Sequence, residues 1–444
     1  MAVPKSPARG LIIAAPASGS GKTAITLSLL ALLKRNGIAV SSAKVGPDYI
    51  DPAFHQAATG RPCFNLDSWA MRPETLRGLL AEAAQGSALT VIEGVMGLFD
   101  GAETGPGGAT GSTADLAAMF DLPVVLVMNV KGQGATAGAV LAGLARHRPD
   151  VRIAGVVFNN VGGPVHRQIL AAAAEAVGIP ALGFLPRLPE LAMPERHLGL
   201  KQAGEIQDIA AFLAAAASAI APHIDLDRFT AIAAPIEAAS APGTFGIAPL
   251  GQRIAVARDI AFAFAYPAQL EAWRRQGATL SFFSPLADEA PDPAADAVFL
   301  PGGYPELHAG KLAGNAVYQH GLRNAAARGA AIYGECGGYM VLGESLTDAG
   351  GVAHPMAGLL PVATSFAKPK LHLGYRQARL LAAGPLGVQG SGFAGHEFHY
   401  ASVEREAGDA ALFEARDARG NALAAMGRRQ GRVMGSFLHL ISPT

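Results

Sequence analysis

The sequence predicts an α/β protein of two domains, each built on a parallel sheet, and three observations carry this. Apolar runs of strand length alternate with helix-periodic segments through the first half of the chain. A stretch without clear period, 231–250, follows. A second strand–helix alternation then begins at Arg253. Strands that are apolar on both faces and alternate with helices belong to a parallel sheet covered on both sides. The 444 residues, half of them apolar and 16% charged, give room for more than one substantial core. The expected organisation is a first domain over 1–230, a linker over 231–250 and a second domain over 251–444.

In the first domain the spacing predicts strands at 10–15, 38–45, 89–94, 123–129, 153–158 and 181–184. It predicts helices at 22–35, 73–85, 112–120, 134–146, 164–176 and 206–217. The first helix is apolar-periodic and has Gly37 just past its end. The Ala-rich segments 170–176 and 212–218 read as ordinary helix. The second domain is expected to carry strands at 253–257, 279–283, 297–300, 330–334 and 433–437.

Composition removes several function classes. Lys+Arg and Asp+Glu are equal at 35 each, so no net field recruits nucleic acid or an acidic membrane surface. No apolar run is long enough to span a bilayer, and the first residues lack the apolar core of a signal peptide. Only two cysteines are present, too few for a disulfide framework, and a cytoplasmic location is expected. Cys63 lies in an unremarkable Arg61-Pro62-Cys63-Phe64 context and reads as a small packed residue.

Residues 11–23 join an apolar strand to Pro16-Ala17-Ser18-Gly19-Ser20-Gly21-Lys22-Thr23, and a helix follows directly. A strand, a Gly/Ser loop and Gly-Lys-Thr opening a helix form a phosphate-binding arrangement. Backbone N–H groups cradle phosphates, Lys22 reaches the outer ones and Thr23 holds Mg²⁺. Pro16 stands where the standard pattern has its first Gly. The strand at 38–45 runs into Lys44-Val45-Gly46-Pro47-Asp48-Tyr49-Ile50-Asp51, and that at 89–94 ends in Glu93-Gly94-Val95-Met96-Gly97-Leu98-Phe99-Asp100. Carboxylates at the C-terminal ends of parallel strands beside such a loop are placed to meet Mg²⁺ and substrate. Glu93 is the strand-ending acid; Asp48, Asp51 and Asp100 are read on loops facing the same crevice. The glycine-rich stretch 105–113 reads as a loop over substrate or a plain connection. Asn129 and Lys131 stand where many phosphate-loop proteins touch the base.

In the second domain, Gly334-Glu335-Cys336-Gly337-Gly338 follows an apolar strand and precedes a helix. This is a nucleophile elbow with Cys at its apex, and the helix N-terminus is expected to favour the thiolate. Gly302 and Gly303, at a strand end, can turn N–H groups toward an oxyanion, and the N–H of Gly337 can supply another. Among seven histidines in this half, His439 ends an apolar strand and is the leading base for Cys336. His396 and His399 are three apart on a strand, hence on opposite faces, and no zinc site is expected there.

Together these motifs resemble the cobyrinic/hydrogenobyrinic acid a,c-diamide synthases of cobalamin biosynthesis. The matching stretches are the phosphate loop, Lys44–Pro52, Glu93–Gly101, Leu300–Leu307, Gly334–Met340 and Gly395–Tyr400, in order from residue 10 to 440. The resemblance implies a dethiobiotin-synthetase-like ATP domain followed by a class I glutamine amidotransferase domain. It implies a cytoplasmic ligase that amidates the a and c carboxylates of hydrogenobyrinate, or of cobyrinate, with ATP, Mg²⁺ and glutamine. Neither nucleic acid nor membrane is a partner, and a homodimer is a possible assembly. By the resemblance, Ser18, Gly19, Ser20, Gly21, Lys22 and Thr23 bind ATP. Thr23, Asp48 and Glu93 serve Mg²⁺, and Asp48, Tyr49 and Asp100 lie near the macrocycle. Cys336 and His439 are the glutaminase pair. Ammonia is expected to reach the ATP domain by a protected path. Class I amidotransferases usually carry Glu two residues after this His; here the position is Ile441, so the family resembles a dyad variant in which another group holds the imidazole. Sibling amidotransferases, cobyric acid synthase and nickel-sirohydrochlorin a,c-diamide synthase, are the alternatives. A partitioning ATPase would carry a Lys near the start of the loop, where this chain has Ala14–Ala17.

Overall fold

The computed structural model describes residues 8–104, 108–193, 195, 196, 199–237, 246–408 and 410–444. The chain forms two compact units, Met1–Gly101 with Ala109–Gly243, and Thr244–Thr444 with Ala102–Gly108.

The first unit is organised by strands that are buried along their length. They are β1 (Arg9–Ala14), β2 (Val40–Val45), β3 (Phe64–Leu66), β4 (Leu89–Glu93), β5 (Val124–Asn129), β6 (Ile153–Asn159) and β7 (Ala181–Leu185). Their order in the sheet is β3-β2-β4-β1-β5-β6-β7, parallel throughout. The order reverses at β1, which lies between β4 and β5, so a crevice opens beyond the C-terminal ends of β1 and β4. The helices are α1 (Lys22–Arg35), α2 (Ile50–Thr59), α3 (Pro73–Ala84), α4 (Thr113–Phe120), α5 (Thr136–His147), α6 (Pro164–Val177) and α7 (Ile209–Ile220). Leu11, Ile13, Leu29, Leu30, Val91, Val125 and Phe54 meet in one core, and burying such side chains contributes about 1.5–3 kcal/mol each.

Two sequence expectations change here. The segment after Asp48, read as loop, is helix α2. The expected linker over 231–250 is divided between the units. Ala234–Pro235 pairs antiparallel with β1, whereas Ile247 and Leu250 are buried in the second core. Residues 238–245 of it, and 105–107 of the glycine-rich loop, lie outside the described residues.

In the second unit, Thr279–Phe283, Arg253–Ala257, Ala297–Leu300, Ala331–Glu335 and Val433–Ser436 lie side by side in that order and parallel. The sheet then continues antiparallel through Met426–Gln430, Ala411–Asp417, His372–Leu380, Gly392–His399 and Leu438–Pro443. Only Phe437 separates Val433–Ser436 from the last strand, Leu438–Pro443. His439 therefore does not end a strand as expected. It sits inside the following one, paired with His396 on Gly392–His399. A separate four-stranded sheet holds Ser345–Thr347, Ala353–Pro355, Val362–Ser365 and Ser402–Glu406.

Candidate active sites

The phosphate loop opens from the end of β1. Ala17, Ser18 and Gly19 are exposed at its mouth, while Ser20 is buried and its hydroxyl donates to the Ala17 carbonyl (2.7 Å). Gly21 has φ +88°, and a Cβ there would stand 2.5 Å from Asn159 Nδ2. Asn159, at the end of β6, donates to the Ser20 carbonyl (3.1 Å). Only glycine meets both demands, the left-handed backbone and the close approach.

Behind the loop lies a buried charge cluster centred on Glu93. Lys22 Nζ is 3.2 Å from Glu93 Oε1 and donates to the Gly94 carbonyl. Thr23 Oγ1 donates to Glu93 Oε1 (2.6 Å) and lies 3.5 Å from Asp51 Oδ2. Lys44, opposite Glu93 in the β2–β4 register, bridges Asp51 (2.7 Å) and Glu93 (3.0 Å). His55 Nε2 meets the other Glu93 oxygen at 2.6 Å, both side chains fully buried.

The electrostatics follow from this packing. Burial would raise Glu93, but Lys44, Lys22 and His55 outweigh it and hold the carboxyl well below its usual range. Burial lowers Lys22 despite Glu93. Burial would also lower Lys44, yet Asp51 and Glu93 lift it above its ordinary range. His55 is lifted to about 10 against its burial, by the neighbouring Cys63 thiol and by Glu93. Three basic groups thus surround two carboxylates, Glu93 and Asp51, a balance suited to an incoming polyphosphate.

The candidate metal ligands are redistributed. Thr23 and Glu93 are in contact, and Asp51, not Asp48, is the second carboxylate on them. Asp48 Oδ1 instead accepts the N–H groups of Ile50 (2.7 Å) and Asp51 (2.8 Å), capping the start of α2. Burial and Asp51 push its carboxyl up to about 6. Tyr49 is the residue before α2. Asp100 is exposed, and its carboxylate accepts the Gly97 N–H (2.8 Å). A Cβ on Gly97 would fall between Asp100 and the Pro16 carbonyl, so Asp100 stands at the edge of the phosphate loop. Asn129 accepts from Asn160 Nδ2 (3.1 Å) and from the Lys131 N–H (3.1 Å). The donor set of Thr23 hydroxyl with Glu93 and Asp51 carboxylates fits a hard cation such as Mg²⁺. The sequence reading gave no role to Lys44 or His55. His55 is four residues after Asp51, a same-face spacing that becomes visible only once α2 is known to be helical.

In the second unit, Cys336 caps the short helix Gly337–Leu342 with φ +48° and ψ −103°, the strained turn of an elbow. Its neighbours leave no room for side chains. A Cβ on Gly338 would lie 1.9 Å from the Leu300 carbonyl, and one on Gly334 would meet the Gly338 backbone at 2.6 Å. Gly302 lies beside both Cys336 and His439: an added Cβ would stand 2.4 Å from His439 Cε1 and 3.4 Å from Cys336 Cβ. A Cβ on Gly337 would come within 3.1 Å of the Gly303 amide nitrogen. The expected residues Cys336, His439, Gly302, Gly303 and Gly337 are thus brought together.

The thiolate expectation is corrected. Burial, then Glu306, Glu335 and Glu397, push the Cys336 thiol well above its ordinary range, and the Gly337 N–H offsets only part. His439 is held well below its ordinary range by burial and by His396 and His399. The resting pair is therefore a thiol and a neutral imidazole. The His396 ring stacks on His439 at 4.8 Å and 12°, and Tyr266 Oη meets His396 Nε2 at 3.0 Å.

His399 belongs to a different group, as its strand position implies. Its ring lies 4.6 Å from His372 and parallel to it within 3°. Glu397 contacts His399 through Oε1 (2.9 Å) and Arg376 through Oε2 (2.8 Å). His372, Glu397 and His399 place potential ligand atoms within 4.8 Å of one another. Arg376 already neutralises the carboxylate, and the group reads as an ion pair with a stacked imidazole.

Comparison with known proteins accounts for both halves. Residues 11–200 match the CobQ/CobB/MinD/ParA nucleotide binding domain, and 253–443 match the CobB/CobQ-like glutamine amidotransferase domain. The hydrogenobyrinate a,c-diamide synthase of Brucella anthropi is 54% identical over 435 residues, covering 98% of both chains. The protein of that name from Mesorhizobium japonicum is 51% identical, covering 98% of this chain and 99% of its own. The one from Rhizobium meliloti is 50% identical, covering 97% and 99%. With half of all positions shared over nearly the full length of each relative, the chain belongs to the hydrogenobyrinate a,c-diamide synthase family.

Proposed function

We propose that this protein amidates the a and c carboxylates of hydrogenobyrinate, with ATP as activator and glutamine as nitrogen donor. The observation that carries the reading is the pairing, in one chain, of a phosphate loop backed by Glu93 with a Cys336–His439 pair flanking Gly302. The carboxylate specificity is taken from the name shared by the relatives. Free carboxylates resist ammonia, so the substrate oxygen first attacks the γ-phosphorus of ATP, releasing ADP and leaving an acyl phosphate. Lys22 would offset charge on the transferred group. Mg²⁺, held by Thr23, Glu93 and Asp51, would neutralise phosphate charge. Ammonia then attacks the acyl carbon and phosphate departs.

In the glutaminase half, Cys336 sulfur attacks the carboxamide carbon as its proton passes to His439. The imidazolium returns that proton to the departing amide nitrogen, and ammonia leaves. Water hydrolyses the resulting thioester to glutamate. The N–H groups of Gly303 and Gly337 would bind the oxyanion.

The test is a mass-spectrometric endpoint with ATP, Mg²⁺, glutamine and either hydrogenobyrinate or cobyrinate, run beside Cys336→Ala with glutamine or ammonia. Two added amides on hydrogenobyrinate, lost in C336A with glutamine and restored by ammonia, are expected. No mass change on either ring would overturn the substrate assignment and favour a sibling acid.

A further inference from the structure

The general pattern of this amidotransferase class places an orienting Glu two residues after the base, where this chain has Ile441, yet a buried carboxylate reaches His439 from another strand. Glu335 ends Ala331–Glu335 immediately before the nucleophile, and its Oε2 lies 3.9 Å from His439 Nδ1, with both side chains almost fully buried. Its other oxygen accepts the N–H of Leu440 (3.2 Å), the residue after His439. The carboxylate is therefore anchored to the same strand that carries the base. We propose that Glu335 is the positioning residue of the glutaminase site, holding His439 by Nδ1 so that Nε2 serves Cys336, and stabilising the imidazolium. This rests on the reading of Cys336 and His439 as the glutaminase pair.

Three further observations support it. Nδ1 turned toward a carboxylate is the orientation in which a base of this kind offers Nε2 to its nucleophile. Burial pushes the Glu335 carboxyl up to about 8, while burial and two histidines hold His439 down. An ion pair with Glu335 forms when the thiol proton reaches His439 while the carboxyl is ionised. The 3.9 Å separation is longer than a formed hydrogen bond, as is common for catalytic contacts before substrate binds. The other titratable groups facing the pair are His396 stacked on His439, His399 beyond it, Tyr333 beside Glu335, and Cys336 with Glu306 and Glu397 acting on its thiol.

The experiment compares Glu335→Gln with the wild type in glutaminase kcat, KM and pH profile, and in diamidation driven by ammonia. The isosteric amide is expected to lower glutaminase kcat by about 10² to 10⁴, the range set by comparable carboxylate-to-amide changes in base-orienting positions. KM for glutamine should change little. The acid limb of kcat/KM should move to lower pH, because an imidazolium without a carboxylate partner gives up its proton more readily. Ammonia-driven diamidation should match the wild type, which a merely structural role for Glu335 would not preserve beside lost glutaminase. Should E335Q lose the ammonia reaction through misfolding, Glu335→Asp replaces it. The shorter carboxylate retreats from Nδ1, so a smaller fall in kcat with the same direction of pH shift is expected. Wild-type kcat and an unmoved acid limb in a folded variant would overturn the inference. Absence of ammonia-driven diamidation in the wild type would instead strike the proposed function.

Discussion

At the scale of single residues, both sites depend on burial setting protonation. Cys336 is 3% exposed and surrounded by carboxylates at Glu306, Glu335 and Glu397, so its thiol holds its proton past the ordinary range of about 8.5. Inactivation by iodoacetamide in the absence of glutamine should therefore keep rising with pH beyond 9, without the plateau of an ordinary thiol. A plateau below pH 8 would show the thiolate to be present at rest. Lys44 presents the mirror case, a buried cation satisfied by Asp51, Glu93 and the Gly94 carbonyl (3.1 Å). Removing it strands charge on its partners, and breaking such a buried pair costs about 3–5 kcal/mol. Lys44→Met should lower the melting temperature of the first unit by many degrees in calorimetry; a shift within error would mean that Lys22 and His55 compensate.

At the scale of elements, the loop and the elbow work because glycines let backbones meet. Gly21 is the sharpest instance. Gly21→Ala forces a Cβ against Asn159 in a left-handed backbone, and should raise the Kd for ATP, read by calorimetric titration, by tenfold or more. Such a displacement would move the loop that carries Lys22, while glutaminase activity should be retained. Unchanged ATP affinity would show that the loop tolerates the shift. These elements were legible because a parallel strand buried on both faces leaves a continuous apolar run, as in Arg253–Ala257 and Ala297–Leu300, whose bounds match expectation. The antiparallel ribbon was not legible. His372–Leu380 is polar and only partly buried along most of its length, so its alternation is too weak to announce a strand. Helix α2 was hidden for another reason: Asp48 and Asp51 read as loop chemistry, whereas Asp48 caps a helix and Asp51 lies in its first turn. His55 and Lys44 escaped notice with it. Glu335 stood inside a recognised motif, but its reach to His439 depends on the strand that follows Phe437, which the sequence reading merged with the one before.

At the scale of the whole molecule, each half has its own charge chemistry, so the proposed reaction predicts that the halves can be silenced separately. In the proposed reaction the first unit offers Lys22, buried beside Glu93, to a phosphate. The second offers the thiol and imidazole of Cys336 and His439 for release of ammonia. Lys22→Ala should abolish diamidation with either nitrogen donor, because activation of the carboxylate precedes any use of ammonia. Glutaminase turnover should survive in that variant. Cys336→Ala should abolish glutaminase turnover and glutamine-driven diamidation, while ammonia-driven diamidation continues, and that reaction should rise with pH as the unprotonated fraction of ammonia grows. The two variants therefore give opposite patterns when assayed for glutamate and for amidated product. If K22A silenced glutamine hydrolysis as completely as C336A does, the glutaminase would be gated by the state of the phosphate site, and the two units would act as one coupled machine. If K22A hydrolysed glutamine at the wild-type rate, Cys336, His439 and the groups packed around them would suffice for that half of the reaction.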